Sequence, residues 1–231
     1  MTTFSKLLKE RSFSQIVVII LLLLLLVMGA VPGYLKGRWD WQGPAKITNM
    51  KQLRQISKAG LTLPGWQTLQ QKQEQIGGHK WSYQIIQQQG SKNQAILLLF
   101  PQKDHKDLPE VEWTEINSWG QWNVAQKRDA EFTVKQPLTK VKAQFFRAST
   151  KQKTFAVLQW YAWSRGGNPS PLSWFWADQL AQWRKHRLPW VAVSILIPME
   201  PFGQVETNWR QAQSLGETVQ ATLMTSAFSS N

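Results

Sequence analysis

Cysteine is absent from this sequence of 231 residues, and histidine occurs only three times. Without cysteine the chain has no disulfide, no thiolate nucleophile and no zinc–thiolate site. The histidines, His79, His105 and His186, are widely spaced, so a metal site built from several of them is not expected. We therefore predict no metal and no other cofactor.

Standard catalytic signatures are also missing. The sequence contains no G-x-S-x-G nucleophile elbow, no phosphate-binding glycine loop and no H-E-x-x-H zinc motif. The best polar cluster contains Asp104, His105 and Glu110, and a histidine among carboxylates can perform acid–base chemistry. A solvated loop has the same composition, and this is the interpretation that we favour. The alternative is a membrane-anchored envelope hydrolase or transferase that uses His105 with Asp104 or Glu110.

Acidic residues are few. The chain has 14 aspartates and glutamates against 27 lysines and arginines, which gives a formal net charge of +13. Such a charge attracts anionic membrane headgroups, and nucleic acid is the other polyanion that it suggests. The basic residues are scattered along the chain rather than clustered. We therefore predict a membrane, and no nucleic acid, among the partners.

A long apolar run is present near the N-terminus. Residues 16–31 are apolar throughout and include six consecutive leucines. Together with residues 13–15, the run approaches the roughly 20 residues that a membrane-spanning helix needs. Pro32 and Gly33 are expected to end this helix. The pattern predicts a single transmembrane anchor.

Basic residues before the run favour a cytoplasmic N-terminus, because Lys6, Lys9 and Arg11 precede the apolar segment. A cleaved signal peptide is the alternative. The apolar run is long for a signal peptide, and Met28 stands where cleavage before Val31 needs a small residue. We therefore favour a retained anchor in the cytoplasmic membrane, with the N-terminus inside and the bulk of the chain on the extracytoplasmic face.

The predicted organisation has four parts. Residues 1–12 form a cytoplasmic N-terminus, 13–32 the anchor, 33–48 a juxtamembrane linker rich in glycine, and 49–231 one extracytoplasmic domain. In that domain the hydrophobic patterns predict helices at 49–58, 172–185 and 205–224, and strands at 80–88, 94–100, 141–148, 154–164 and 190–197. Strands at hairpin spacing imply a mostly antiparallel sheet, so we predict an α+β fold with helices packed on one side, preceded by one N-terminal transmembrane helix.

Two of the predicted helices carry apolar residues at helical spacing, which is typical of a stripe that faces a core. In the helix 172–185 the stripe contains Leu172, Phe175, Trp176, Leu180 and Trp183. In the last helix it contains Val205, Trp209, Ala212, Val219 and Leu223. Asp178, inside the tryptophan-rich helix, is expected to pair with a lysine or arginine rather than to act in catalysis.

Tryptophan is abundant, with 14 residues against only three tyrosines. Trp160 and Trp163 lie on opposite faces of the predicted strand 154–164, because successive side chains alternate. Core packing is the favoured interpretation for these residues, and Trp160 in particular is expected in the core. An aromatic surface for a protein partner is the alternative, and its candidate residues are Trp113, Trp160, Trp163 and Trp176.

Several short motifs occur in a fixed order after the apolar run. They are Leu63-Pro64-Gly65-Trp66, the segment His105…Leu108-Pro109…Trp113, the strand Leu158-Gln159-Trp160-Tyr161 with Arg165-Gly166-Gly167 after it, and an apolar strand that ends at Ile197-Pro198. The order of these motifs, which cover most of residues 60–225, resembles that of the exosortase-associated accessory family, in particular the cyanoexosortase B system-associated proteins. That family typically has a histidine followed by Cys-Leu-Pro and Gly-Trp. Here Asp107 replaces the cysteine and Glu112 replaces the glycine.

The resemblance implies a function through partners. Exosortases are multi-pass, transpeptidase-like membrane enzymes that process proteins with a C-terminal PEP-CTERM-type sorting signal. A member of the accessory family is expected to contact the exosortase or its sorted substrates by protein–protein interaction. The missing cysteine argues against any thiol-based role. An accessory role without enzymatic activity is therefore the function that we predict.

Overall fold

The computed structural model describes residues 13–36, 47, 49–110 and 112–229. The chain divides into two compact units, Met1–Pro44 and Ala45–Asn231. The predicted cytoplasmic N-terminus, residues 1–12, lies outside the described residues. So does most of the predicted linker, including Trp39 and Trp41.

The first unit contains helix α1, Phe13–Lys36, which is formed by the apolar run. Our prediction that Pro32 and Gly33 end the helix is wrong, because the helix continues to Lys36. A proline removes one backbone hydrogen bond and kinks a helix without forcing it to stop. Within the described part of the chain, no helix is both long enough and apolar enough to cross a membrane. The anchor stays a prediction from the sequence.

The second unit contains four helices and eight strands among the residues that the structure describes. The helices are α2 (Met50–Ala59), α3 (Glu112–Trp119), α4 (Pro171–Trp183) and α5 (Trp209–Ser226), and a short 3₁₀ turn, Val205–Asn208, precedes α5. The strands are β1 (Trp66–Ile76), β2 (His79–Gln88), β3 (Gln94–Pro101), β4 (Asn123–Lys135), β5 (Leu138–Ser149), β6 (Thr154–Trp163), β7 (Gly166–Asn168) and β8 (Val191–Met199). The predicted α+β class is confirmed.

The eight strands form one open sheet in the order β1-β2-β3-β8-β6-β7-β5-β4, and β6 also pairs with β5. The pairings are antiparallel except for the single contact between β5 and the short β7. Strands β1 and β4 form the edges, and the sequence did not predict either of them. Both are largely exposed, so their apolar residues do not alternate over the whole strand.

Helices cover both faces of the sheet. Strand β6 is buried along its whole length. Leu158 and Trp160 belong to a core with residues of α2 and α5, whereas Tyr161 and Trp163 belong to a second core with residues of α3 and α4. Our prediction of helices on one side is therefore wrong. A central strand that is apolar at every position needs cover on both faces, because its side chains alternate.

Helix α5 packs as its sequence predicts, with Ala212, Val219 and Leu223 fully buried. A buried glutamine on the same helix, Gln220, holds it to β6. Its side-chain oxygen accepts a hydrogen bond from Nε1 of Trp160 at 2.9 Å, and its amide donates to the carbonyls of Trp163 and Gly166 at 3.0 and 3.1 Å. All the hydrogen-bonding groups of this glutamine are thus matched, and Trp160 lies in the core as predicted.

Candidate interaction surface

Helix α4 exposes the apolar stripe that its sequence was expected to bury. Leu172, Trp176, Leu180 and Trp183 are 61%, 60%, 61% and 84% exposed, and Phe175 beside them is 39% exposed. Their spacing places them on one side of the helix. We call the surface of these five residues the α4 apolar face. The prediction that the stripe faces the core is wrong.

The inward side of α4 is formed instead by Trp174 and Asp178, which are 1% and 2% exposed. Trp174 donates from Nε1 to the carbonyl of Leu188 at 3.1 Å and packs edge-on against Trp190. Asp178 pairs with Nε of Arg187 at 2.9 Å and accepts the backbone N–H of Leu188 at 2.8 Å. This pairing confirms the structural role expected of Asp178. It also fixes which side of α4 faces the sheet.

Positive charge follows the α4 apolar face at its carboxyl end. Arg184 and Lys185 form an exposed turn after the helix, and the adjacent His186 is exposed as well. The only carboxylate of α4 is Asp178, which is buried and paired. The helix therefore presents apolar groups outward, the turn after it presents basic groups, and the one carboxylate of the helix is turned inward.

The four tryptophans proposed for partner binding lie in different environments. Trp160 is fully buried and Trp163 is 8% exposed. Trp113 is half-buried, donates from Nε1 to the carbonyl of Pro169 at 2.8 Å, and packs on Tyr161 with ring centroids 4.5 Å apart. Only Trp176, among these four, offers most of its side chain to a partner.

Two of the candidate catalytic residues, Asp104 and His105, accept hydrogen bonds from backbone N–H groups. Nδ1 of His105 accepts a hydrogen bond from the backbone N–H of Ile47 at 3.1 Å. Oδ1 of Asp104 accepts the backbone N–H groups of Lys106 and Asp107, at 2.7 and 3.1 Å. Glu110 is exposed, and among the described residues no hydrogen bond joins its side chain or that of Asp104 to His105. These residues do not form a catalytic set.

A buried carboxyl group that was not among the candidate site residues follows this loop, at the first residue of α3. Glu112 is 1% exposed and accepts a hydrogen bond from the hydroxyl of Tyr161 at 2.7 Å. Burial raises the pKa of Glu112 above its ordinary value, and burial likewise raises the pKa of Tyr161. Three residues further along α3, Glu115 pairs with Nδ1 of His79 at 2.7 Å. Glu112 has no access to solvent, so we assign it a structural role.

Neither of two concave sites is lined by Asp104, His105 or Glu110. Two open pockets of about 400 and 490 Å³ lie at the β2–β3 turn and beside β4 and β5, and His105 lines neither of them. In the part of the chain that the structure describes, no group of three or more histidines and carboxylates is placed to hold a metal ion. The α4 apolar face is therefore the strongest candidate for function.

Comparisons with protein-family models, with curated proteins and with solved structures find no match to this chain.

Proposed function

We propose that the chain is a membrane-anchored accessory protein of an exosortase system, and that it acts by binding rather than by covalent chemistry. Its partner is the multi-pass exosortase or the sorted proteins that bear PEP-CTERM-type signals. The observation that carries a binding role is the α4 apolar face. Folding leaves five large apolar side chains of one helix in contact with solvent, and an exposed patch of this kind is typical of an interaction site.

The anchor and the location rest on the first unit of the chain. The side chains from Val17 to Met28 on α1 are apolar and exposed, and a helix that is apolar all round needs apolar surroundings. The basic residues before it favour a cytoplasmic N-terminus. We therefore propose a single pass through the cytoplasmic membrane, with residues 49–231 on the extracytoplasmic face.

The exosortase part of the proposal rests on the order of the sequence motifs. Binding without chemistry is supported by the contacts of Asp104 and His105, because Nδ1 of His105 accepts the backbone N–H of Ile47 and Oδ1 of Asp104 accepts two backbone N–H groups of its own loop. The alternative, a hydrolase or transferase, would need an active site assembled around His105, and among the described residues no hydrogen bond joins the side chain of His105 to that of Asp104 or Glu110. The accessory role needs no such site.

Affinity capture of the full-length chain from detergent-extracted membranes tests the partner. We expect a multi-pass exosortase to co-purify with it. The chain should also stay in the membrane fraction at high salt and alkaline pH. Release of the domain into the soluble fraction would refute the anchor, and capture of neither an exosortase nor a sorted protein would refute the partner.

A matched pair of double variants tests the surface in cells. Leu180→Gln with Trp183→Gln changes the α4 apolar face, and we expect processing of sorted proteins to fall. Leu138→Gln with Phe202→Gln changes two apolar side chains, 80% and 96% exposed, that lie outside α4. This control should leave processing unchanged. Equal processing in both variants would show that the α4 apolar face has no part in the function.

A further inference from the structure

We propose that the α4 apolar face lies in the headgroup layer of an anionic lipid membrane. The inference rests on the proposed function for one point, that an anchor keeps the domain beside a bilayer. It goes beyond that function because it names what the α4 apolar face contacts. Contact with lipid would orient the domain, so that its other surfaces meet a membrane-embedded partner in one fixed direction.

The residue types of the face fit the boundary between lipid and water. Trp176 and Trp183 are both exposed, and tryptophan is enriched at the level of the headgroups. Leu172 and Leu180 lie on the same side of the helix and supply aliphatic surface for the acyl boundary. The helix has 13 residues, about 20 Å of length, so it would lie along the surface rather than cross it.

The charges around the face fit anionic lipid. Arg184 and Lys185 are exposed directly after α4, and its single carboxylate, Asp178, is buried against Arg187. Lysine and arginine beside an apolar helix face strengthen binding to anionic headgroups. The residues after the apolar run add to this attraction, because 24 basic (27 − 3) and 13 acidic (14 − 1) side chains give them a formal net charge of +11.

The length of the chain between α1 and the domain fits the same arrangement. Ten residues, 37–46, separate Lys36 from Ile47. Ten residues span at most about 36 Å when fully extended. A domain tethered by such a segment meets the bilayer at high local concentration, so a weak lipid contact would suffice.

A single spin label tests the inference, because the chain contains no cysteine of its own. Full-length Leu180→Cys carries a nitroxide and is reconstituted into vesicles of phosphatidylcholine, with or without phosphatidylglycerol. Paramagnetic resonance then measures collisions of the label with oxygen, which partitions into lipid, and with a water-soluble nickel chelate. Leu138→Cys, an exposed leucine in the β4–β5 hairpin, is the matched control.

With phosphatidylglycerol present, we expect the label at position 180 to lose most collisions with nickel and to gain collisions with oxygen. The control label should stay accessible to nickel. Adding Arg184→Glu and Lys185→Glu to Leu180→Cys should restore access to nickel. Continued access to nickel in the unmodified background, or a chain that does not remain with the vesicles, would overturn the inference.

Two further outcomes separate this inference from the proposed function. If position 180 becomes inaccessible only when an exosortase is co-reconstituted, the face binds protein. The lipid inference is then wrong and the accessory function stands. If the label enters lipid but neither an exosortase nor a sorted protein is captured from cells, the lipid inference stands and the proposed partner is wrong.

Discussion

Helices α4 and α5 carry similar apolar patterns but use them in opposite ways. In α5 the residues at helical spacing, such as Val219 and Leu223, are buried against the sheet. In α4 the corresponding residues, such as Leu180 and Trp183, face solvent. Apolar periodicity therefore identifies one side of a helix, but it does not determine whether that side faces the protein.

The polar groups explain the difference between the two helices. Gln220 of α5 lies on the inward side and bonds to Trp160 and to carbonyls near the end of β6. Asp178 of α4 lies on the inward side because Arg187 and the backbone of Leu188 complete its hydrogen bonds. With Trp174 and Asp178 turned inward, the five side chains of the α4 apolar face, on the opposite side of the helix, point away from the sheet.

The largest expected effect lies on the α5 side of the sheet. Trp160→Ala removes a fully buried ring and leaves Gln220 without its donor. We expect the free energy of unfolding to fall by about 3 to 5 kcal/mol, a large part of the roughly 5 to 15 kcal/mol that a domain has. Urea denaturation of residues 45–231, which contain both cores, measures it. An unchanged midpoint would contradict the placement of Trp160.

Breaking the inward contact of α4 should also be costly. Asp178→Ala leaves the buried guanidinium of Arg187 without its carboxylate. We expect a loss of about 3 kcal/mol, at the low end for a broken buried pair because Arg187 also donates to the carbonyl of His105. The double variant Asp178→Ala with Arg187→Met, measured in the same urea titration, should recover part of that loss. A double variant with a lower free energy of unfolding than Asp178→Ala would argue against a buried ion pair between Asp178 and Arg187.

A smaller effect concerns the pH dependence of the free energy of unfolding, which should differ between variants on the two sides of the sheet. The α3 and α4 side buries Glu112, whose folded pKa lies above its ordinary value, whereas Gln220 on the other side cannot titrate. The stability that Glu112 contributes is present below its ordinary pKa of about 4.5 and is lost as the pH rises through the raised folded pKa. Glu112→Gln should therefore gain stability relative to the parent as the pH rises. A difference that stays constant from acid to neutral pH would contradict this.

The smallest expected effect is on the α4 apolar face. Trp183→Ala truncates a side chain that is 84% exposed, so the free energy of unfolding should change by less than about 0.5 kcal/mol. Together with Trp160→Ala it forms a matched pair, because the same substitution is made at an exposed and at a buried tryptophan. A fall of several kcal/mol in the free energy of unfolding of Trp183→Ala would show that the α4 apolar face is buried in the core.

The sequence predicted the central part of the fold well. Strands β2, β3, β5, β6 and β8 and the three helices α2, α4 and α5 were all expected, because each has strong apolar periodicity or a continuous apolar run. The edge strand β1 was missed because its glutamine-rich surface is exposed. The continuous apolar run of β6 already implied cover on both faces, although we predicted helices on one.

The candidate site was less predictable. Trp176 could be named from its type, but its exposure depends on the pairing of Asp178 with Arg187, a contact that helical spacing does not reveal. The burial of Glu112 could not be predicted, because charged residues surround it in the sequence. Its partner Tyr161, however, lies on a strand that is buried at every position. The case of Asp178 shows that a buried polar pair can decide which side of a helix faces the core.

Alkylation of single cysteines tests the central claim, that the apolar stripe of α4 faces outward while that of α5 faces inward. Leu180→Cys and Leu215→Cys place one thiol each on the two helices, at positions 61% and 1% exposed. Residues 45–231 carrying each variant are treated with a water-soluble maleimide in buffer without lipid or detergent. We predict that position 180 reacts as fast as in the unfolded chain and that position 215 reacts only after unfolding. Protection of position 180 in the folded domain would contradict the account.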